Sequence, residues 1–372
     1  MASMMLTERE REIVALLRRD PLIGSAAMAA ALGTTRAAVN VHLSNLGKKG
    51  VVLGRGYLLS EEPSVVVVGG ANMDVKAHSA RAAVPATSNP GTATMAAGGV
   101  GRNVAENLAR LGTRTHLVAA IGSDGLGDQV LAATSGAGVH VEHVRRSARS
   151  TGTYTAVLDA DGELVVAVAD MAATDELAPE QVDAARDLVA TAELVVLDGN
   201  LGTATLGFAL DLANAAGTRV VLEPVSVPKA AALVPLVTPE RPLHAVTPNR
   251  DELGALTGLP TRTARQVARA AAALHDRGVE LVWVRLGPAG SLLSAPGGTT
   301  ELAAVPASAV GGVVDVTGAG DAMLAAFCHA LLGGARPAEA AAYGHAAAAL
   351  TVASPYTVRP DLTDRLVRSL LP

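Results

Sequence analysis

Residues 315–322 read Asp-Val-Thr-Gly-Ala-Gly-Asp-Ala, and an apolar helical run begins directly behind them. Gly318 and Gly320 permit a tight turn and close backbone approach to a ligand. The amides that open a helix lack intrahelical acceptors and sit at the positive end of its dipole, so such a turn receives an anion. An acid there works against simple anion binding, but it has a use as a base. Asp321 can take the proton of a hydroxyl while the amides hold a phosphoryl group in transit. The chemistry is phosphoryl transfer to an alcohol. Taken alone, the same residues are equally an ordinary helix cap with an incidental Asp.

Other segments extend the pattern. Gly69-Gly70-Ala71-Asn72-Met73-Asp74 follows the first core strand, and Asp74 can accept two hydroxyls of a vicinal diol. Gly98-Gly99-Val100-Gly101-Arg102-Asn103 leads into a helix, where Asn103 adds a donor and an acceptor. Asn249 and Glu252 lie three apart at a helix start. Their oxygens suit a hydrated Mg²⁺, although both are also ordinary capping residues. Gly287 and Gly290, at a strand end, can admit a nucleobase or phosphates, or form a plain turn.

The 372 residues must supply elements that hold these segments together. Hydrophobic content is 49% and charged content 17%, enough for a large core. No apolar run approaches the roughly 18–20 residues of a membrane span. The N-terminus lacks signal-peptide character, and a single cysteine excludes an internal disulfide, so a cytoplasmic location is expected. From Val65 onward, apolar strands (65–68, 117–121, 194–197, 220–222, 245–246, 281–284) alternate with Ala/Leu-rich helical stretches. That alternation predicts an α/β fold with a doubly wound, mostly parallel sheet. Period-2 patches within about 75–97 and 153–170, the latter turning at Asp161-Gly162, predict a separate small sheet suited to a lid or a dimer surface.

Residues 1–60 carry a net charge of +4 and the remainder −9. The head reads as three helices (6–19, 25–32, 36–49) and a two-stranded wing over 51–59, with Ala-Leu-Gly-Thr-Thr between the second and third helices. It resembles a winged helix-turn-helix domain, preceding a kinase-like domain over 64–372. The resemblance makes the third helix the DNA reader, with Arg36, Asn40, His42, Lys48, Lys49 and wing residue Arg55 as contacts. A small domain used for packing or dimerisation is the alternative.

In chain order, Gly-x-x-Asn-x-Asp, Gly-Gly-x-Gly-x-Asn, Asn-x-x-Glu, Gly-x-x-Gly and Asp-x-Thr-Gly-Ala-Gly-Asp resemble the motif set of the ribokinase-like (PfkB) carbohydrate kinases, over about residues 64–365. The resemblance implies ATP, Mg²⁺, often K⁺, and transfer of the γ-phosphoryl to a sugar hydroxymethyl group. It makes Asp321 the base and Gly318, Ala319 and Gly320 the anion hole. Asn249 and Glu252 would organise Mg²⁺ and phosphates, with Gly287, Gly290 and Thr317 toward the nucleotide. Asp74, Gly98, Gly99 and Asn103 would bind sugar hydroxyls, with Asn72 nearby, and Asp315 and Thr317 would hold the monovalent cation. Val100 departs from ribokinase proper, which commonly has Lys there. Ser88-Asn89-Pro90-Gly91, the Gly-Gly-Val-Gly-Arg-Asn loop, Ala169-Asp170-Met171 and Asp198-Gly199-Asn200 resemble the pseudouridine kinase branch. Asn89, Tyr154, Asp170, Met171 and Asn200 are then candidates to surround the base. Another nucleoside or sugar is the alternative substrate. A nucleoside-sensing regulator built on a kinase fold is the alternative function. Pairing through the lids, as relatives do, implies a homodimer.

Overall fold

The computed structural model describes residues 6–52 and 63–371, and the chain divides into two compact units, 1–62 and 63–372.

In the smaller unit, Glu8–Arg19, Ser25–Ala31 and Arg36–Lys48 are helices. Thr7 and Glu10 close a capping box on the first, each side chain accepting from the other's amide. Ile13, Leu17, Met28, Val39 and Leu46 form the core between them. The wing and Arg55 lie outside the described residues.

The larger unit contains thirteen strands among its described residues: β1 (Ser64–Val68), β2 (Asn72–Ser79), β3 (Gly91–Gly98), β4 (Arg114–Gly122), β5 (His140–Ser147), β6 (Thr153–Leu158), β7 (Leu164–Asp170), β8 (Leu194–Asp198), β9 (Arg219–Glu223), β10 (Leu243–Val246), β11 (Val279–Arg285), β12 (Ser291–Ala295) and β13 (Gly298–Leu302). Nine form one sheet in the order β13-β12-β11-β10-β9-β8-β1-β4-β5. It is parallel from β5 to β11 and antiparallel at β12 and β13. Both faces are covered, as an all-apolar strand such as β1 requires: Val65 and Val67 enter one core, Val66 and Val68 the other. Strand order reverses between β1 and β8, which makes the carboxyl ends of those strands the natural ligand crevice.

The remaining four strands form a second sheet, β3-β2-β6-β7. Asn72 and Asp74, in the segment that follows the first core strand, belong to strand β2 of this sheet. The β6–β7 hairpin turns at Gly162 (φ 83°), where the Asp159 carboxylate accepts from the amides of Asp161 and Glu163. One helix matters most to the site, Ala319–Leu332. Its Phe327 stacks on buried Trp283 of β11 at 4.6 Å, and helix Pro337–Val352 brings Gly344 so close to that indole that a Cβ would lie 2.5 Å from it. Packing therefore fixes the axis whose N-terminus carries Gly318 and Asp321. No helix among the described residues is long and apolar enough to cross a membrane.

Candidate active site

Gly318 caps helix Ala319–Leu332 with φ 78°, in the left-handed region. A Cβ there would sit 2.0 Å from the Thr357 carbonyl oxygen, so backbone sign and space both demand glycine. The amide of Ala322 reaches back to the Gly318 carbonyl, and those of the preceding first-turn residues present the positive end of the helix. A Cβ on Gly320 would lie 2.8 Å from Nη1 of Arg285, which places a guanidinium against the turn.

Asp321 stands in that first turn, half-buried. Its Oδ2 accepts from Asn103 Nδ2 at 2.8 Å, which joins it to the glycine-rich loop 218 residues earlier. Burial pushes the carboxyl up to about 7. The negative charges of Glu223 and Asp198 push the same way, while Asn103 and Arg285 pull down. A carboxyl that ionises near neutrality is well matched to accept a hydroxyl proton.

On the other side of the crevice Asn72 Nδ2 donates to Asp74 Oδ1 at 2.7 Å. Asn72 pairs with Gly98 across β2 and β3, and a Cβ on Gly98 would meet Asp74 Oδ2 at 2.2 Å. Glycine there makes room for the carboxylate, whose pKa burial raises. Gly99 (φ 98°) passes close over Gly70 and opens helix Val100–Arg110, which carries Asn103 in its first turn. Beneath these loops lies buried Asp198. Its Oδ2 accepts from the amides of Gly70 (2.9 Å) and Gly101 (2.8 Å), and its Oδ1 from the amide of Asn200 (2.8 Å). One carboxylate thus pins three chain segments at the switch point. Tyr154 is the register partner of Asp74 on β6 and is exposed, and the Met171 sulfur lies near Gly152 and Asn72. Two candidates are engaged elsewhere. The Asn89 amide is consumed by its own loop, through Val84 and Thr87, and Asp170 caps the amide of Ala172.

Toward the nucleotide side, Asn249 and Glu252 form a capping box on helix Arg250–Thr257. Glu252 Oε2 accepts from the Asn249 amide (2.8 Å) and Oε1 from Asn249 Nδ2 (2.7 Å). Arg285 lies between buried Glu223 (2.6 Å) and Glu252 (3.5 Å), and Glu223 also accepts from Thr247. Burial raises the Glu252 pKa. Hard oxygen donors fit Mg²⁺, but both Glu252 oxygens are in use, so the fit is through the ion's own waters. Gly287 faces open space, whereas a Cβ on Gly290 would strike the Leu302 carbonyl at 2.0 Å; its glycine serves the β12–β13 edge.

The oxygens of Asp315 and Thr317, expected around a monovalent cation, hold a side chain instead. Lys76 Nζ lies 2.6 Å from Asp315 Oδ2 and 3.2 Å from Thr317 Oγ1. Asp315 Oδ1 accepts from the Thr317 amide (2.8 Å) and hydroxyl (2.7 Å). Burial would raise the Asp315 pKa, but Lys76 and Thr317 outweigh it and hold it low.

Sequence reasoning passed over Asp198 as a clamp, and over Glu223, Arg285 and Lys76 altogether. The first three share a signal: each is the charged last residue of a strand and directly follows an apolar run (194–197, 220–222, 281–284), at the sheet's ligand-facing end. In the smaller unit Arg36, Asn40 and Lys48 are exposed and His42 is half-buried. Arg36 Nε donates to Ser25 Oγ. Lys49 pairs with buried Glu10 at 2.7 Å, which gives it a structural tie that a purely DNA-facing role does not foresee.

Comparison with known proteins follows the same division. Residues 6–52 match a winged helix-turn-helix DNA-binding model, and residues 62–364 match the pfkB family carbohydrate kinase model. An uncharacterized sugar kinase of Escherichia coli, YeiI, is 34% identical over 99% of both chains. The pseudouridine kinase of Escherichia coli is 33% identical over 84% of this chain and 98% of its own. The structure of Arabidopsis thaliana ribokinase complexed with ribose and ATP superimposes with a TM-score of 0.74 at 29% identity, covering 84% of this chain and 99% of that one. With most of its length matched by one family model, and with the strand ends and glycine turns arranged as above, this chain belongs to the pfkB family of carbohydrate kinases.

Proposed function

We propose that the chain phosphorylates the 5′-hydroxyl of pseudouridine with ATP. The observation that carries the reaction class is Asp321: a carboxyl lifted to about 7, held by Asn103 and seated among helix-opening amides. Asp74, with Asn72 and the Gly98–Gly99 turn, would take the ribose hydroxyls and fix the primary alcohol beside Asp321. Asp321 accepts the proton as the oxygen attacks. Amides of the Gly318–Asp321 turn receive the charge of the moving phosphoryl group, and Arg285 moderates the acidic floor formed by Glu223 and Glu252. Mg²⁺, held through water near Asn249 and Glu252, would neutralise nucleotide phosphates. The base is argued from the pseudouridine-kinase-like motifs and from the similarity to the Escherichia coli enzyme. Tyr154, opposite Asp74 on β6, Met171, near Gly152, and Asn200, whose amide donates to Asp198, would surround the base. ADP release measured across pseudouridine, uridine, adenosine, ribose and fructose tests the assignment. Pseudouridine should have the highest kcat/KM, and a preference for uridine or a free sugar would overturn it.

A second role, DNA binding by residues 6–52, is favoured by the family match and the +4 charge of the head. Exposed Arg36, Asn40 and Lys48 would provide the contacts, in a protein acting in the cytoplasm. A gel shift with DNA upstream of its own gene, with and without pseudouridine, reads both binding and coupling; no shift at low salt would overturn the role. A homodimer through the small sheet is proposed from exposed Leu164, Val166 and Val168 on its edge strand. Val166→Lys should then convert a dimer to a monomer in light scattering.

A further inference from the structure

Asp315 lies three residues before Gly318 and six before Asp321, so its position sets the entry of the chain into the anion turn. Lys76 lies on β2, two residues beyond Asp74 and therefore on the same face of that strand. Their ion pair spans 239 residues of sequence and joins the small sheet to the turn. Both side chains are about a quarter exposed, so the pair is largely shielded from water. Asp315 accepts from Lys76, the Thr317 amide and the Thr317 hydroxyl, which uses most of a carboxylate's acceptor capacity. A bare monovalent ion drawing on these side-chain oxygens would have to displace the ammonium that already takes them.

We propose that the Lys76 ammonium is a built-in cation of the phosphoryl-transfer site, which replaces a bound monovalent metal ion and holds the Asp315–Asp321 turn against the substrate-carrying sheet. The proposal rests on the kinase reading given above. Lys76 is a positioning residue: it acts through Asp315 and Thr317 on the turn that carries the base. Two consequences follow. Turnover is indifferent to K⁺ in the native protein. Removing the ammonium leaves a partly buried carboxylate without a counter-charge, and the vacated space between Asp315 and Thr317 then takes a small cation from solution.

The test uses the full chain, exchanged into tetramethylammonium chloride, with K⁺ then substituted at a constant ionic strength of about 0.1 M to hold general screening fixed. Initial rates with pseudouridine and ATP, and thermal unfolding, are read for the native protein and for Lys76→Met. The native rate should change by less than about twofold with K⁺, and its melting temperature should not move beyond that of a K⁺-free control. Lys76→Met should lose roughly tenfold in kcat without K⁺, the scale of one charge-assisted hydrogen bond, and recover most of it with K⁺. The variant's melting temperature should rise with K⁺. A native enzyme strongly activated by K⁺, a variant that turns over normally without it, or a loss that K⁺ fails to restore would each overturn the proposal. If none of the nucleosides and sugars of the panel is phosphorylated, the kinase reading fails by itself. The melting curves still decide the cation question, since K⁺ must stabilise the variant and not the native chain. If Lys76→Met does not fold, the native protein's response to K⁺ decides it.

Discussion

Replacing Asp321 with Asn should slow turnover by orders of magnitude and stabilise the kinase unit, with the two effects linked by one charge. Burial lifts this carboxyl from 3.8 to about 7. At about 1.36 kcal/mol for each pH unit, that rise puts a ceiling of about 4 kcal/mol on what the native state gives up to keep the group ionised. Asp321 is half-buried, and water in the crevice screens it, so about 2 kcal/mol is the expected gain. The direction follows from proton linkage. In the unfolded chain the acid ionises near its ordinary value, while in the folded chain it keeps its proton until about pH 7. The native protein is therefore handicapped progressively from about pH 4 and fully above pH 7, and Asn carries no such handicap. An Asn carbonyl can still accept from Asn103, so the hydrogen bond survives. Urea unfolding followed by the fluorescence of Trp283, the single tryptophan and fully buried, reports on this unit alone. The variant should converge on the native protein as the pH falls to about 4 and exceed it by ~2 kcal/mol at about pH 8. Its kcat should fall by about 10²–10⁴, and the native kcat/KM should rise through about pH 7. A variant less stable than the native protein at high pH, or an equal difference at both pH values, would refute the elevated ionisation. Unchanged turnover would refute the role as base.

Gly318→Ala should lose about 1–3 kcal/mol of stability and most activity, because its φ of 78° and the Thr357 carbonyl 2.0 Å from the new Cβ force the turn to move. Thermal unfolding and turnover check it. Arg285→Met leaves Glu223 and Glu252 buried against each other, which should cost about 3–5 kcal/mol. The urea-unfolding deficit should shrink on acidification, as a raised Glu252 protonates most easily. Asn249→Ala should cost about 1 kcal/mol as a lost cap. A raised KM for ATP would show that the residue also serves the nucleotide, and an unchanged KM would leave it a cap.

Periodicity and glycine placement carried most of the fold. An all-apolar run such as Val65–Val68 has only one home, a strand covered on both faces, and the Asp161-Gly162 turn announces its hairpin. The glycine turn before the helix was equally legible, since the left-handed φ of Gly318 and its closeness to the Thr357 carbonyl demand glycine. Contacts between distant segments left no such mark. Nothing near Lys76 points to Asp315, and nothing in Asp198-Gly199-Asn200 says that the carboxylate gathers the amides of Gly70 and Gly101. At Asn89 the residue type alone could not tell a ligand contact from a loop tie, because a loop's own polar groups, here those of Val84 and Thr87, can engage an amide as readily as a ligand does. Asn249 and Glu252 show the reverse ambiguity: three-residue spacing at a helix start serves a cap and a hydrated cation equally.

The most direct test of phosphoryl transfer to a nucleoside alcohol is the ³¹P spectrum of the full chain incubated with ATP, Mg²⁺ and pseudouridine. The account predicts loss of the γ-phosphate resonance with matching growth of ADP and one phosphomonoester coupled to the 5′-methylene protons, and no such growth with Asp321→Asn. Intact ATP, or ADP accompanied only by inorganic phosphate across the whole panel of nucleosides and sugars, would contradict it.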